Sequence, residues 1–400
     1  MSGLEPRPSC DPDYPWGPAP MPPLRSGPPY LMAEAIEREP GLAERLASQA
    51  ATSDAVVALA ELLRTGTASG WPPAVVGCGT SEHAALAAAA IWRDAWRTAG
   101  LPGSGPLARQ AFEGALDPWP GVTVGISHEG GTRATIDALR AARAGGARTA
   151  LITAGANSPA ATVANVCLCT GEVDRSWCHT IAYVAPIVAA TLVADQILGQ
   201  PTAPAAIRAP LEAGLAASDA ARALGRELAT SRTLVVVGTG SDRIAGREMT
   251  LKIEEAAYVP TAYRDLETML HGHIPSLDVG TGLVLLLSDR DGRATRVARA
   301  RQLLTAVSRV GVRCGAILSA AADDEIPAGL TPAGRVVVPE LTDLRAPTAA
   351  LLATAIPLQL TTYQLALALG TNPDALRREF TPYRAAAEVS GDDPTRRPGS

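Results

Sequence analysis

Twice in this sequence a β-rich run ends in glycine and hydroxyl residues and opens directly onto a helix-like pattern. The two places are Ala74-Val75-Val76-Gly77-Cys78-Gly79-Thr80-Ser81 and Leu234-Val235-Val236-Val237-Gly238-Thr239-Gly240-Ser241. Gly238 follows Gly77 by 161 residues (238 − 77), about one domain length. A strand, glycine turn and helix in that order point free backbone N–H groups and the positive end of a helix at the space beyond a sheet. That is how α/β folds hold phosphates and sugar hydroxyls. A chain that builds the junction twice reads as an internal repeat around a small-molecule site.

The segments between the junctions alternate in period. A helical pattern from Tyr30 to Ala47 precedes strands at 74–76, 122–126, 149–153 and 166–169, with helices at 82–99, 132–144 and 180–198. Pro201 to Pro204 break the chain before a charged, alanine-rich helix over 206–230. The order then repeats, with strands at 234–237, 283–287, 314–318 and 335–338 and helices at 242–258, 295–310 and 347–369. The spacing predicts an α/β fold of two tandem doubly wound domains, each a roughly five-stranded parallel sheet flanked by helices. The expected boundaries are an irregular arm at 1–29, domains at 30–200 and 232–385, a helical connector at 201–231 and a flexible tail at 386–400.

Composition narrows the partners. With 47% hydrophobic and 19% charged residues, 400 residues suffice for two sizeable cores. A net charge of −5 with interspersed signs offers no basic surface for nucleic acid. The N-terminus lacks the basic start and apolar run of a secretory signal, which points to a cytoplasmic protein. Ile181 to Leu198, interrupted by Pro186 and Asp195, fits a buried helix, so no membrane partner is expected. Six cysteines show no CxxC pair, and Cys167 and Cys169 alternate as small core residues would, so neither a metal nor a disulfide is expected.

All five histidines, His83, His128, His179, His271 and His273, fall at or near the expected sheet-edge loops, and imidazoles gathered at one rim suggest a site. Ser127-His128-Glu129-Gly130-Gly131-Thr132 again ends a strand in hydroxyls and glycines. It reads either as an N-capped tight turn or as a second wall of the pocket begun by Gly79, Thr80 and Ser81. Glu248, Lys252 and Glu255 stand at i, i+4 and i+7 on one helical face. Composition alone favours a solvated ion-pair stripe there. Against that reading stand Glu267, His271 and His273 a short loop later, since proton shuffling on a sugar needs a carboxylate and an imidazole.

With those residues in order, the chain resembles the sugar isomerase (SIS) domain family, specifically the double-domain isomerase portion of glutamine–fructose-6-phosphate transaminase. The likeness runs from about Tyr30 to Thr371. It rests on Met32 to Pro40, Gly77 to Ser81, Ile126 to Thr132, Leu251 to Tyr258, Glu267 to His271 and Ala355 to Tyr363. The resemblance implies that Thr80, Ser81, Ser127, His128 and Thr132 grip a sugar 6-phosphate, that Glu255 moves a proton between C1 and C2, and that His271 opens the ring from a neighbouring subunit. It therefore implies a homodimer. On this reading Lys252 and Glu248 tune the charge of the base, and neither a cofactor nor a metal is required.

Three departures shape the expectation. Residue 2 is serine and no glutaminase domain precedes the likeness, so glutamine is not expected to supply ammonia. Where the family carries a C-terminal Schiff-base lysine, this chain has Thr381. Where the family grips phosphate with serine, it has Glu129, and a carboxylate ~4 Å from a phosphate repels it by about 4 kcal/mol per unit charge at an effective dielectric near 20. Either Glu129 turns away, towards His83 or Arg133, or the sugar is unphosphorylated or bears an amine. His179 and Trp177 stand where the family has small residues and imply a reshaped pocket. The leading expectation is an aldose–ketose isomerase acting through a cis-enediol, with an amino-sugar deaminase or ammonia-dependent aminating isomerase, and a non-catalytic sugar sensor, as alternatives.

Overall fold

The structure, a computed structural model, describes residues 16–17, 20–66 and 70–390. Cys10 and most of the expected arm and tail lie outside that set. The first half runs α1 (Leu31–Ala50), α2 (Asp54–Gly66), β1 (Ala74–Gly77), α3 (Thr80–Thr98), β2 (Leu107–Gln110), α4 (Ala111–Leu116), β3 (Val122–Ile126), α5 (Arg133–Ala144), β4 (Arg148–Thr153), β5 (Val166–Cys169) and α6 (Ile181–Leu198). Helices α7 (Pro204–Ala216) and α8 (Ser218–Leu228) lead into the second half. There follow β6 (Thr233–Gly238), α9 (Asp242–Ala256), β7 (Thr261–Asp265), β8 (Thr281–Leu287), α10 (Arg293–Ser308), β9 (Arg313–Ser319), α11 (Ala320–Glu325), β10 (Gly334–Val338), α12 (Ala346–Leu369) and α13 (Thr381–Ser390).

Both sheets are five-stranded and parallel throughout, and their strand orders match: β2-β1-β3-β4-β5 and β7-β6-β8-β9-β10. The expected α/β class holds. Strands β1, β3 and β8 are buried along their whole length, as sheets covered on both faces require. Alternation sorts their side chains. Leu234, Val236, Val284 and Leu286 enter a core that also takes Val75, Val124 and Ile126 of the first sheet, whereas Val235, Val237, Leu283 and Leu285 enter a separate core on the far face.

Helices α6 and α12 are long and apolar enough to cross a membrane, yet nearly nine-tenths of the most apolar 18-residue stretch of each is buried inside the protein. Apolar all round, they form the central layer, α6 against α3 and α1, α12 against α7, α8 and α9. The connector departs from the single helix expected over 206–230. It bends at Ala217, because both of its parts follow α12: a side chain at Gly214 would collide with Ile356, and one at Gly225 with the backbone of Leu365. Cys78, Cys167, Cys178 and Cys314 form no disulfide, while Cys169 is held in one, against the expectation that it would be an ordinary core thiol.

Candidate active site

Each glycine turn has a steric origin. A Cβ at Gly77 would lie 2.3 Å from the carbonyl oxygen of Ser81, and one at Gly238 would lie 2.4 Å from that of Asp242. Only glycine lets the strand end press on the first turn of its helix. Two residues on, Gly79 and Gly240 take φ of +56° and +62°, the left-handed turn that swings the chain into α3 and α9.

Thr80 and His83, in the first turn of α3, reach across to α9. The Thr80 hydroxyl donates to Glu248 Oε1 at 3.2 Å, and His83 Nδ1 lies 2.6 Å from Glu248 Oε2. One turn along, Lys252 Nζ lies 3.7 Å from Glu248 Oε1 and 2.5 Å from Glu255 Oε2. The Glu255 carboxylate also hydrogen-bonds the buried Cys178 thiol. The solvated-stripe reading of this face is overturned. Glu248 and Lys252 are 1% and 0% exposed, because the face packs inward against α3 and α12.

Burial alone would neutralise these groups, and their mutual pairing decides otherwise. Burial raises Glu248, but Lys252, His83 and Thr80 outweigh it and hold the carboxyl below its ordinary value. Burial lowers Lys252, but Glu255 and Glu248 outweigh it and keep the ammonium charged. At Glu255 burial prevails over Lys252, and the carboxyl is pushed up. The result is a fixed anion, a fixed cation and a carboxyl that takes a proton more readily than an ordinary glutamate, as a general base near neutral pH must. Lys252 is also the only lysine in the sequence, a rarity that by itself marks the position out.

Ser127 and Thr132 meet at the end of β3, with Ser127 Oγ 3.4 Å from Thr132 Oγ1. The Trp16 indole covers this turn, donating to the Glu129 carbonyl at 2.9 Å. The two neighbours expected for the Glu129 carboxylate are taken, His83 by Glu248 and Arg133 by Asp137 at 2.6 Å. Behind the turn, His128 Nε2 accepts the Asp174 amide at 2.8 Å, and the rings of His128 and His179 stand 5.0 Å apart. Burial, then the neighbouring His128, drives His179 down to about 3, so it stays neutral. Asp174, not foreseen from the sequence, caps α6 by accepting the amides of Thr180, Ile181 and Ala182. A buried carboxylate acting on a helix that starts seven residues later leaves no local pattern.

The histidines do not share one rim. His273 accepts from Arg264 at 3.3 Å beside the starts of β6, β7 and β8, the end of the second sheet opposite its glycine turn. His271 is 68% exposed on its side chain, 2.8 Å from Glu267 Oε1. Arg299 and then His271 hold Glu267 down to about 2. Within one chain His271 and Glu267 lie on the surface, whereas the Glu255 side chain, 23% exposed, is turned to Lys252, and among the described residues no contact joins His271 to Ser127, Thr132 or Glu255. Thr381, at the place of the family's lysine, is exposed on α13. Among the described residues no three His, Cys, Asp or Glu side chains group as metal ligands.

Two matching parallel sheets with a charged array between their glycine-turn helices define a tandem doubly wound α/β protein. The chain resembles the isomerase portion of glutamine–fructose-6-phosphate transaminase in sequence and in fold. It is 26% identical over 322 residues to the glutamine–fructose-6-phosphate aminotransferase (isomerizing) of Zymomonas mobilis, a match covering 76% of this chain and 50% of that protein. The chain thus spans about half the length of the curated relatives it matches. Its fold matches the C-terminal domain of glucosamine-fructose-6-phosphate aminotransferase from Francisella tularensis with a TM-score of 0.74 at 19% identity, covering 88% of this chain and 99% of that one. It also matches tagatose-6-phosphate ketose/aldose isomerase from Escherichia coli, with a TM-score of 0.70 at 18% identity over 88% and 97% of the two chains. No protein-family model matches.

Proposed function

We propose that the protein is an aldose–ketose isomerase acting on a hexose-type sugar or its phosphate through a cis-enediol. The observation that carries this reading is the buried Glu248–Lys252–Glu255 array held against Thr80 and His83. Glu255, with its raised carboxyl, takes a proton from one of C1 and C2 and returns it to the other. Lys252 supplies fixed positive charge beside the oxyanion that develops, and Glu248 keeps Lys252 charged. The hydroxyls and amides of Thr80, Ser81, Ser127 and Thr132 hold the far end of the sugar. His271 opens the ring at the site of a second copy, which explains its exposure in the single chain and makes the working unit a homodimer.

The only lysine of the sequence is locked in its ammonium form, so it offers no free amine for an imine with the sugar. That favours isomerisation over amino transfer. The test is incorporation of solvent deuterium at C1 or C2 of candidate hexoses and hexose phosphates. Ammonium release from amino sugars without exchange in neutral ones would replace the reading by deamination. Calorimetric sugar binding with no exchange would make the protein a sensor.

A further inference from the structure

Each glycine turn faces the glycine-turn helix of the other half: a Cβ at Gly79 would meet Leu251 of α9 at 3.8 Å, and Thr239, Gly240 and Ser241 share a cleft with α3. The first such space is filled by the array on α9. The reciprocal space, between the turn Thr239-Gly240-Ser241 and the α3 face carrying Glu82 and Arg93, is a cleft of about 980 Å³. It contains none of Glu248, Lys252 and Glu255.

Five arginines and five carboxylates line it, and the arginines stand in an unusual register. Arg93 and Arg97 stand at i and i+4 on α3, and Arg243 and Arg247 at i and i+4 on α9. Like charges at this spacing oppose helix formation, and here the two pairs also repel each other across the cleft. Some are answered from within the protein: Arg243 by Asp265 at 2.6 Å, Arg296 by Asp289 at 3.0 Å and, weakly, Arg97 by Asp94 at 3.4 Å. Among the described residues neither Arg93 nor Arg247 pairs with a carboxylate, although both are half-buried, and Arg247 lies 5.2 Å over the Tyr263 ring. Burial, then Arg97 and Arg243, pull Arg93 below its ordinary value. Two guanidiniums left in that state are stabilised by an anion from outside. The Ser241 amide is already taken by Asp289, so the helix end contributes nothing. Of the carboxylates in the cleft, Asp265, Asp289 and Glu267 are bound by Arg243, Arg296 and Arg299, which leaves Glu82 and Asp291 as acceptors.

We propose that this cleft is a second ligand site that binds a phosphorylated polyhydroxy compound, its phosphate between Arg93 and Arg247 and its hydroxyls donating to Glu82. Planar guanidiniums suit a phosphate, and a nearby carboxylate penalises a bare anion while it rewards a hydroxyl-bearing one.

The test is calorimetric titration of the full chain with fructose 6-phosphate and, separately, inorganic phosphate at matched ionic strength. Wild type is expected to bind fructose 6-phosphate at two sites per chain. R93Q/R247Q, and independently A90E, which sets a carboxylate on the α3 wall, are expected to weaken one of these by about tenfold or more. Thermal unfolding of the unliganded variants verifies that they fold. Unchanged stoichiometry and affinity in both variants would overturn the site, and fructose 6-phosphate binding no tighter there than inorganic phosphate would overturn the polyhydroxy assignment. The readout is binding, so it stands even if no deuterium exchange is found and the isomerase reading fails.

Discussion

His83 Nδ1 and Glu248 Oε2 are 2.6 Å apart, the shortest tie between the first glycine-turn helix and the second. The carboxylate is 1% exposed, so the contact is a charge-assisted bond in a dry place. Replacing His83 by alanine should lower the unfolding free energy by about 1.5–3 kcal/mol in urea titrations. A change under about 0.5 kcal/mol would reduce it to the standing of a surface pair.

Lys252 stands between two carboxylates, 3.7 Å from Glu248 Oε1 and 2.5 Å from Glu255 Oε2. Lys252→Met leaves Glu248 and Glu255 facing each other without a cation and should destabilise the protein by about 3–5 kcal/mol. Replacing all three by leucine or methionine should recover most of that loss while abolishing turnover, because well-packed apolar residues substitute for a buried ion network in stability though not in chemistry. Equal destabilisation by the single and triple variants would contradict this account.

Glu255 is placed in the role of base. Glu255→Gln should slow deuterium exchange by about 10²–10⁴-fold at a temperature where thermal unfolding shows the variant to be folded. Wild-type exchange in a folded Glu255→Gln protein would remove it from that role.

The exposure of His271 leads to a complementation experiment. Glu255→Gln and His271→Asn chains should each be inactive, but an equal mixture refolded together should regain about a quarter of wild-type activity. Half of the two-fold dimers are then mixed, and each mixed dimer rebuilds one of its two sites. No recovery in the mixture would place the ring-opening group elsewhere.

Asp242 gives a pH signature. It is fully buried in the first turn of α9, and burial pushes its carboxyl up to about 6, against the Ser288 hydroxyl and the amides of Ser288 and Asp289. The folded value lies above the unfolded 3.8, so the stabilisation is complete below that pH and is lost as pH rises through about 6. Relative to Asp242→Asn, wild type should lose about 3 kcal/mol of unfolding free energy between pH 4 and pH 7. A difference that stays flat over that range would show the carboxyl to be unshifted.

The strands legible in the sequence are those with an unbroken apolar run. β3 and β5 lie at the expected residues, and β8 and β9 extend them by a residue or two. The edge strands β2, Leu-Ala-Arg-Gln, and β7, Thr-Ala-Tyr-Arg-Asp, were not expected, because half-exposed edges carry neither an apolar run nor a clean alternation. Helix α2 is likewise masked by the stronger pattern that follows it.

The features readable along the chain are local. Glycines stand where a strand end must touch its helix, apolar strands carry enough bulk to be covered twice, and three ionisable groups of α9 fall on one face through helical spacing alone. Whether that face meets water is not local, and there the expectation from composition fails. Only the packing of α9 against α3 and α12 put Glu248 and Lys252 in a dry interior, set His83 upon them and parted His271 from Glu255 within the chain. A charge array and a surface ion-pair stripe share one pattern along the chain. What separates them is the desolvation of the groups, which depends on segments more than a hundred residues away.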